Sequence, residues 1–226
     1  MRRGIYSLYC GVVFVGLGLA TLVINVFVRD DHARRRVAGG SARAFLKAAR
    51  IPFSVEGLER LPGEACVVVA NHASYLDGIV AIAALPPHFA FVIKREMVQV
   101  PLAGFLLRRL GSEFVERFDP RRGAADARRV VKRATRGQSL VFFPEGTFTE
   151  IRQVGQFLRG AFTTAARAGM PIVAVAIHGT REVLPSGSAL LRRRPIRVEV
   201  LEVLRGEDAR DRSRELIAAA IGEPLA

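Results

Sequence analysis

The sequence lacks the patterns that mark metal proteins, disulfide-stapled domains and serine hydrolases. It has only two cysteines, Cys10 and Cys66, which lie too far apart to form a zinc pattern or a disulfide framework. Both thiols are expected to be reduced and buried in a protein that faces the cytosol. No Gly-x-Ser-x-Gly stretch occurs: the nearest, GQSLV at residues 137–141, lacks the last glycine and begins a strand. No repeat or low-complexity linker interrupts the chain, whose apolar half argues against disorder.

Charge is missing from one long segment, residues 5–28, in which 24 consecutive side chains carry none. A membrane-spanning helix needs roughly 20 such residues. Charged residues follow directly from Arg29, where a secretory signal would have a small-residue cleavage site, so the segment is interpreted as a retained anchor. The alternative without a membrane role is a long helix buried in the protein core. A half-inserted hairpin is another, because Gly16 and Gly18 weaken the helix midway.

Positive charge exceeds negative charge strongly, with 34 Lys and Arg against 21 Asp and Glu and a net charge of +13. More of it follows the apolar segment than precedes it, which predicts that residues 29 onward lie in the cytosol. Residues 32–50 are predicted to form a basic amphipathic helix on anionic headgroups, broken near Gly39 and Gly40. The predicted division is therefore a membrane anchor and basic segment, residues 1–50, and a globular domain, residues 51–226.

The same excess charge is compatible with nucleic acid, an anionic membrane or an anionic substrate as partner. No recognised nucleic-acid motif is present, and few aromatic residues stand beside the basic runs at 34–36 and 192–194. Nucleic acid is therefore not an expected partner.

From residue 51 onward, short apolar strands alternate with helices. This pattern predicts an α/β fold with a mixed or mostly parallel sheet covered by helices on both faces. Polar side chains follow several of these strands at the end where such sheets hold ligands. They include Arg117 after one strand and Glu145 after another. A third strand ends near His178, interpreted as a loop histidine.

The most informative strand end is VVVANHASYLD, residues 67–77, which delivers His72 and, five positions later, Asp77. Ser74 and Asp77 have capping-box spacing, so Asp77 can be a helix-capping acid alone. The functional interpretation is a general base whose tautomer is held by the carboxylate. Because the pair has no nucleophile of its own, it would activate the hydroxyl of a substrate. The pair also lacks further ligands at metal spacing, so no metal is expected.

The order of NHxxxxD, a strand ending in arginine, FPEGT and a PIVxV strand resembles the glycerolipid acyltransferases. The closest type is the PlsC family of bacterial 1-acylglycerol-3-phosphate acyltransferases, and the resemblance covers about residues 50–205. It implies that His72 is the general base and Asp77 its orienting partner. The acceptor-binding residues that it implies are Lys94, Arg117, Glu145, Gly146 and Thr147, with Arg159 as a substitute for a missing cation.

That missing cation is a departure from the family pattern. An arginine usually follows the FPEGT threonine, whereas this chain has Phe148, and Arg152 or Arg159 can take its place. A second proline of the last motif is Ala174 here, and Glu116 stands where Asp or Asn is usual. These departures bear on the acceptor and not on acyl transfer.

The resemblance implies transfer of a fatty acyl group from an acyl thioester, acyl-CoA or acyl carrier protein, to a lyso lipid hydroxyl. The expected acceptor is 1-acylglycerol-3-phosphate, giving phosphatidic acid, and no cofactor beyond the thioester is expected. The oxyanion would be met by backbone N–H groups near Gly146 or at the helix start after His72. The expected partners are membrane lipids, the lyso lipid acceptor and the thioester donor. The expected location is the inner membrane, with the catalytic domain on the cytosolic side.

Two alternatives stay open. The acceptor can be another lyso lipid, either a lyso-phospholipid or a lyso-ornithine lipid. The protein can also be a non-catalytic binder of anionic lipid or nucleic acid.

Overall fold

A computed structural model describes residues 3–117, 119–147 and 150–226 of the chain. Across these residues, seven strands form one sheet in the order β1-β7-β6-β2-β5-β3-β4. The strands are β1 (Phe53–Glu56), β2 (Val67–Ala70), β3 (Ala90–Lys94), β4 (Glu113–Val115), β5 (Leu140–Phe142), β6 (Ile172–His178) and β7 (Ile196–Leu204). The helices are α1 (Arg3–Phe27), α2 (Asp31–Ala48), α3 (Asp77–Ala84), α4 (Ala103–Arg109), α5 (Pro120–Ala134), α6 (Gly160–Ala168), α7 (Thr180–Val183) and α8 (Ala209–Ile221).

The sheet is mixed, as the sequence predicts. Strands β2 to β6 are parallel to one another, β7 is antiparallel to β6, and β1 is parallel to β7. Strand β2 lies in the middle between β6 and β5, with Val67 opposite both Ile172 and Leu140. All four β2 residues are buried, which is typical of a central parallel strand covered on both faces.

Successive β2 side chains enter two different cores. Val68 packs in the core that α1, α2 and α3 cover, together with Phe45 and Val80. Val67 and Val69 pack on the opposite face against Ala161 and Ala165 of α6. Because helices cover both faces of the sheet, the predicted α/β fold class is confirmed.

Helix α2 differs from its prediction in two respects. It runs through Gly39 and Gly40 without a break. A Cβ on Gly39 would lie 2.7 Å from the carbonyl oxygen of Ile82, so glycine here permits the close approach of α2 to α3. Arg35 is buried, and its guanidinium donates to the carbonyl of Leu110 at 2.8 Å. One face of this basic helix therefore belongs to the protein core, and residues on both sides of position 50 share that core.

Helix α1 is the only described helix that is long and apolar enough to cross a membrane, judged by length and composition. Only 17% of its most apolar window is buried, so it is not an internal core helix. Its buried side faces α2: the Tyr6 hydroxyl donates to the Ala49 carbonyl at 2.8 Å, and the Thr21 hydroxyl donates to the Ser41 hydroxyl at 2.6 Å.

Candidate active site

Five side chains of chemical interest lie at one edge of the sheet. His72 follows β2, Glu145 follows β5, Arg117 follows β4, and Lys94 and His178 end β3 and β6. All five strands are parallel, so their carboxyl ends meet at the same edge, where open α/β sheets bind ligands. The antiparallel strand β7 begins at this edge, since Arg197 pairs with His178.

His72 and Asp77 form a hydrogen-bonded dyad. Nδ1 of His72 lies 2.8 Å from Oδ2 of Asp77, and the same oxygen accepts the backbone N–H groups of Ala73 at 2.6 Å and Ser74 at 2.8 Å. Asp77 is fully buried in the first turn of α3. With Nδ1–H held by the carboxylate, the neutral imidazole carries its lone pair on Nε2. Asp77 therefore fixes the turn that precedes α3 and orients the histidine at the same time.

Asn71 fixes the position of this turn, a contribution that the sequence interpretation missed. Its amide nitrogen donates to the Ile177 carbonyl at 2.9 Å, and its amide oxygen accepts the Ile177 N–H at 2.8 Å. The side chain, only 2% exposed, thus continues the β2–β6 pairing past Ala70. The sequence feature that could have revealed this role is the position of Asn71, a single amide side chain between a buried strand and the histidine.

Glu145 braces the turn from the other side. Its Oε1 accepts the backbone N–H of His72 at 2.7 Å, and its Oε2 accepts the N–H of Gly155 at 2.8 Å. Burial raises the pKa of Glu145, and these two N–H donors oppose the shift. Both carboxylate oxygens accept backbone N–H groups, so Glu145 holds the turn at His72 in place. The predicted contact of Glu145 with the acceptor stays a prediction.

Phe143 forms an apolar wall beside the histidine. Its ring stacks on the imidazole of His72, with centroids 4.8 Å apart and an interplanar angle of 29°. Phe143 lies between β5 and Glu145, so one short segment supplies both the ring contact and the brace.

Arg117 contacts the same loop. Its guanidinium donates to the carbonyl of Gly146. Gly146 has a φ of 79°, and a Cβ there would lie 3.3 Å from Nη1 of Arg117, so glycine suits both the turn and the close contact. Thr147 follows and is exposed. The loop after β5 thus connects His72, through Glu145, with the arginine that follows β4.

The two other cations that the sequence predicts at the site, Lys94 and Arg159, are exposed. Lys94 is exposed, pairs through its backbone with Val115, and shows no side-chain hydrogen bond or ion pair within the described ranges. Arg159 is exposed at the start of α6. Phe148 lies outside the described residues, so the prediction about the missing cation is untested. Arg152 is engaged with Glu182 at 2.8 Å, which makes it a poorer substitute.

Four of the N–H groups in the two regions expected to meet the oxyanion already have hydrogen-bond partners. Those of His72, Ala73 and Ser74 are bound by the carboxylates of Glu145 and Asp77. The N–H of Gly146 donates to the Phe143 carbonyl at 3.0 Å. These backbone groups build the turns and are not free to receive a developing charge.

The fold and this edge define the class: an α/β enzyme whose strand-end histidine, oriented by a buried carboxylate, has the geometry of a general base. The model of the family described as Acyltransferase matches residues 52–178. The chain therefore belongs to the acyltransferase family, as its motifs predict.

Similar proteins agree with this membership. The chain is 32% identical over 230 residues to a chloroplastic 1-acyl-sn-glycerol-3-phosphate acyltransferase of Brassica napus, covering 97% of this chain and 67% of that protein. It is 32% identical over 193 residues to a lyso-ornithine lipid O-acyltransferase of Pseudomonas aeruginosa, covering 79% of this chain and 69% of that one. A chloroplastic 1-acyl-sn-glycerol-3-phosphate acyltransferase of Arabidopsis thaliana is 31% identical over 219 residues, and the match covers 92% of this chain and 60% of that protein.

The fold has a solved counterpart. The crystal structure of the 1-acyl-sn-glycerophosphate (LPA) acyltransferase PlsC from Thermotoga maritima aligns with a TM-score of 0.80. The alignment covers 98% of this chain and 95% of that one at 22% identity, so it supports the architecture.

Proposed function

We propose that this protein transfers a fatty acyl group from acyl-CoA or acyl carrier protein to a lyso lipid, mainly 1-acylglycerol-3-phosphate, giving phosphatidic acid. The observation that carries the proposal is the 2.8 Å His72–Asp77 contact at the carboxyl edge of the sheet. Family membership makes acyl transfer the reaction that such a base would serve.

In the proposed mechanism, Nε2 of His72 takes the proton of the acceptor hydroxyl as the oxygen attacks the thioester carbonyl. The tetrahedral intermediate collapses, the carbon–sulfur bond breaks, and the leaving thiolate takes the proton from the imidazolium. Asp77 holds the tautomer and stabilises the transient positive charge. General-base help of this kind contributes about 100- to 10,000-fold, and holding both substrates in place supplies much of the rest.

The acceptor phosphate is proposed to lie beside Arg117 and Lys94. Lys94 ends β3 and Arg117 follows the adjacent parallel strand β4, at the edge that carries His72. An arginine can grip phosphate oxygens with two N–H groups, whereas a lysine acts as a point charge.

Membrane association is proposed to occur through the exposed side of α1. Leu8, Val12 and Phe27 are 70%, 65% and 78% exposed. The helix is tied down near both ends, by Ser7 to the Leu191 N–H at 3.0 Å and by Arg109 to the Asn25 carbonyl at 2.6 Å. A helix held along the domain in this way favours insertion lying in the membrane interface over a free span. The cytosolic face of the inner membrane remains the proposed location.

The test is to incubate the purified protein in detergent with an acyl thioester and a panel of lyso lipids, and to identify the products by mass. Phosphatidic acid from 1-acylglycerol-3-phosphate is the expected product. His72→Ala should abolish it, whereas His88→Ala, a matched change at the start of β3 and thus at the opposite edge, should not. Failure of the wild type to acylate any lyso lipid would overturn the proposal.

A lyso-ornithine lipid is the second candidate acceptor. The Pseudomonas aeruginosa relative is a lyso-ornithine lipid O-acyltransferase, and Phe148 replaces the arginine that the family usually has. The same panel decides: better use of lyso-ornithine lipid than of 1-acylglycerol-3-phosphate would support this acceptor.

A further inference from the structure

A cavity of about 830 Å³ lies beside the catalytic turn. It opens where the end of β6 meets the starts of β7 and β1, and Asn71 and Ala73, which flank His72, form part of its wall. We refer to it as the β6 cavity. In the sheet, β6 and β7 lie on one side of β2, whereas β3 and β4, with Lys94 and Arg117, lie on the other. His72 therefore stands between two separate regions.

The lining of the β6 cavity is rich in arginine. Its charged members are four arginines and two glutamates: Arg152, Arg181, Arg194, Arg197, Glu182 and Glu223. Three of the arginines have carboxylate partners, namely Glu182 for Arg152 at 2.8 Å, Glu223 for Arg181 at 3.4 Å, and Glu56 and Glu199 for Arg197 at 3.1 and 3.2 Å.

Arg194 is different from these three. It is exposed and has no carboxylate partner among the residues that the structure describes. Nearby, Thr180 is 1% exposed, and its hydroxyl lacks a hydrogen-bond partner within the described part of the chain. Among the described residues, the cavity wall thus has one arginine without a carboxylate partner, Arg194, and one hydroxyl without a hydrogen-bond partner, that of Thr180. This combination suits the binding of an anionic group.

We propose that the β6 cavity binds the phosphate of the acyl donor, with Arg194 as its main cation. The group meant is the phosphate that ends the pantetheine arm, which acyl-CoA and the prosthetic group of acyl carrier protein share. This inference rests on the proposed acyl transfer, which needs two anionic substrates at one histidine. With the acceptor phosphate on the β3–β4 side, the β6–β7 side is left for the donor, and like charges are kept apart.

The arginine run at 192–194 supplies the matched variants. Arg194 lines the cavity, whereas Arg192 is exposed and outside the lining. Arg193 serves a different purpose, since its guanidinium lies 4.9 Å from the centroid of the Tyr6 ring. Arg194→Gln and Arg192→Gln remove the same charge two residues apart, so a general loss of positive potential would affect both alike.

The experiment compares three donors with the same acyl chain: acyl-pantetheine, which has no phosphate, acyl-4′-phosphopantetheine and acyl-CoA. In Arg194→Gln, the kcat/KM ratio of the phosphopantetheine donor to the pantetheine donor should fall about tenfold, the value of one charged hydrogen bond. Arg192→Gln should leave this ratio unchanged. Equal effects of the two variants, or none, would overturn the proposal, and a rise in the acceptor KM alone would assign the cavity to the acceptor instead.

A binding measurement separates this inference from the proposed function. Coenzyme A without an acyl group should bind the wild type more tightly than Arg194→Gln by calorimetry in detergent. Weaker binding by that variant without any acyl transfer by the wild type would support the phosphate site and reject the reaction. Transfer by the wild type with equal coenzyme A binding by both would reject the site and leave the reaction standing.

Discussion

Asn71→Ala is the change that best tests how the catalytic turn is held. It removes the side chain that bonds both the N–H and the carbonyl of Ile177, at 2.8 and 2.9 Å. Each buried backbone group left without a partner costs about 1–3 kcal/mol. With two such groups, the free energy of unfolding should fall by about 2–6 kcal/mol. At about 2–4 °C per kcal/mol for a domain of this size, the melting temperature should fall by roughly 4–24 °C.

The same change should affect catalysis, because Asn71 immediately precedes His72. A displacement of the base by about 1 Å can cost on the order of 100-fold in rate, so kcat should fall at least tenfold at a temperature where the variant is folded. The KM for the acceptor should change little, since Asn71 is placed as a positioning residue and is not on the β3–β4 side where the acceptor phosphate is proposed to bind.

Asn25→Ala is the matched control. Asn25 is fully buried and donates to the Thr21 carbonyl at 2.8 Å, within α1. It should lower the melting temperature without lowering kcat. An Asn71→Ala enzyme that melts early but keeps wild-type kcat would show that the clamp serves stability only, and unchanged melting would refute the clamp itself.

Three further predictions follow from the site and the surface. His72→Ala should lose about 100- to 10,000-fold in kcat while its circular dichroism stays native; turnover within threefold of wild type would contradict the general base. Arg117→Ala should raise the KM for 1-acylglycerol-3-phosphate and leave that for the thioester unchanged, in steady-state kinetics with each substrate varied in turn; an effect on the thioester alone would refute the phosphate contact. Leu8→Gln combined with Val12→Gln should release the protein from anionic vesicles in flotation assays, whereas Val203→Gln, on an exposed β7 side chain, should not; equal retention would exclude α1 as the membrane contact.

The sequence by itself determined which local segments carry structure and chemistry. Four buried apolar residues identify β2 as a central strand, and the polar residues after it place His72 and Asp77 at its carboxyl end. These two side chains meet because both lie within one turn, where local geometry decides the contact. The apolar helix α1 is local too, since 24 uncharged residues leave few other outcomes. The capping-box spacing of Ser74 and Asp77 did not locate the start of α3: the helix begins at Asp77, because the residues before it form the turn.

Only the tertiary structure decided what holds those segments in place. Glu145 reaches the N–H of His72 across 73 positions, and Asn71 reaches Ile177 across 106, so no local pattern encodes either contact. Gly39 looked like a helix breaker, but the approach of Ile82 makes it a packing position inside a continuous α2. Arg35 looked like a headgroup ligand, yet backbone carbonyls from distant turns bind its guanidinium inside the protein. The sequence shows that a residue is a small glycine or a charged arginine. It does not show which distant residues will contact that glycine or arginine, because folding alone brings them together.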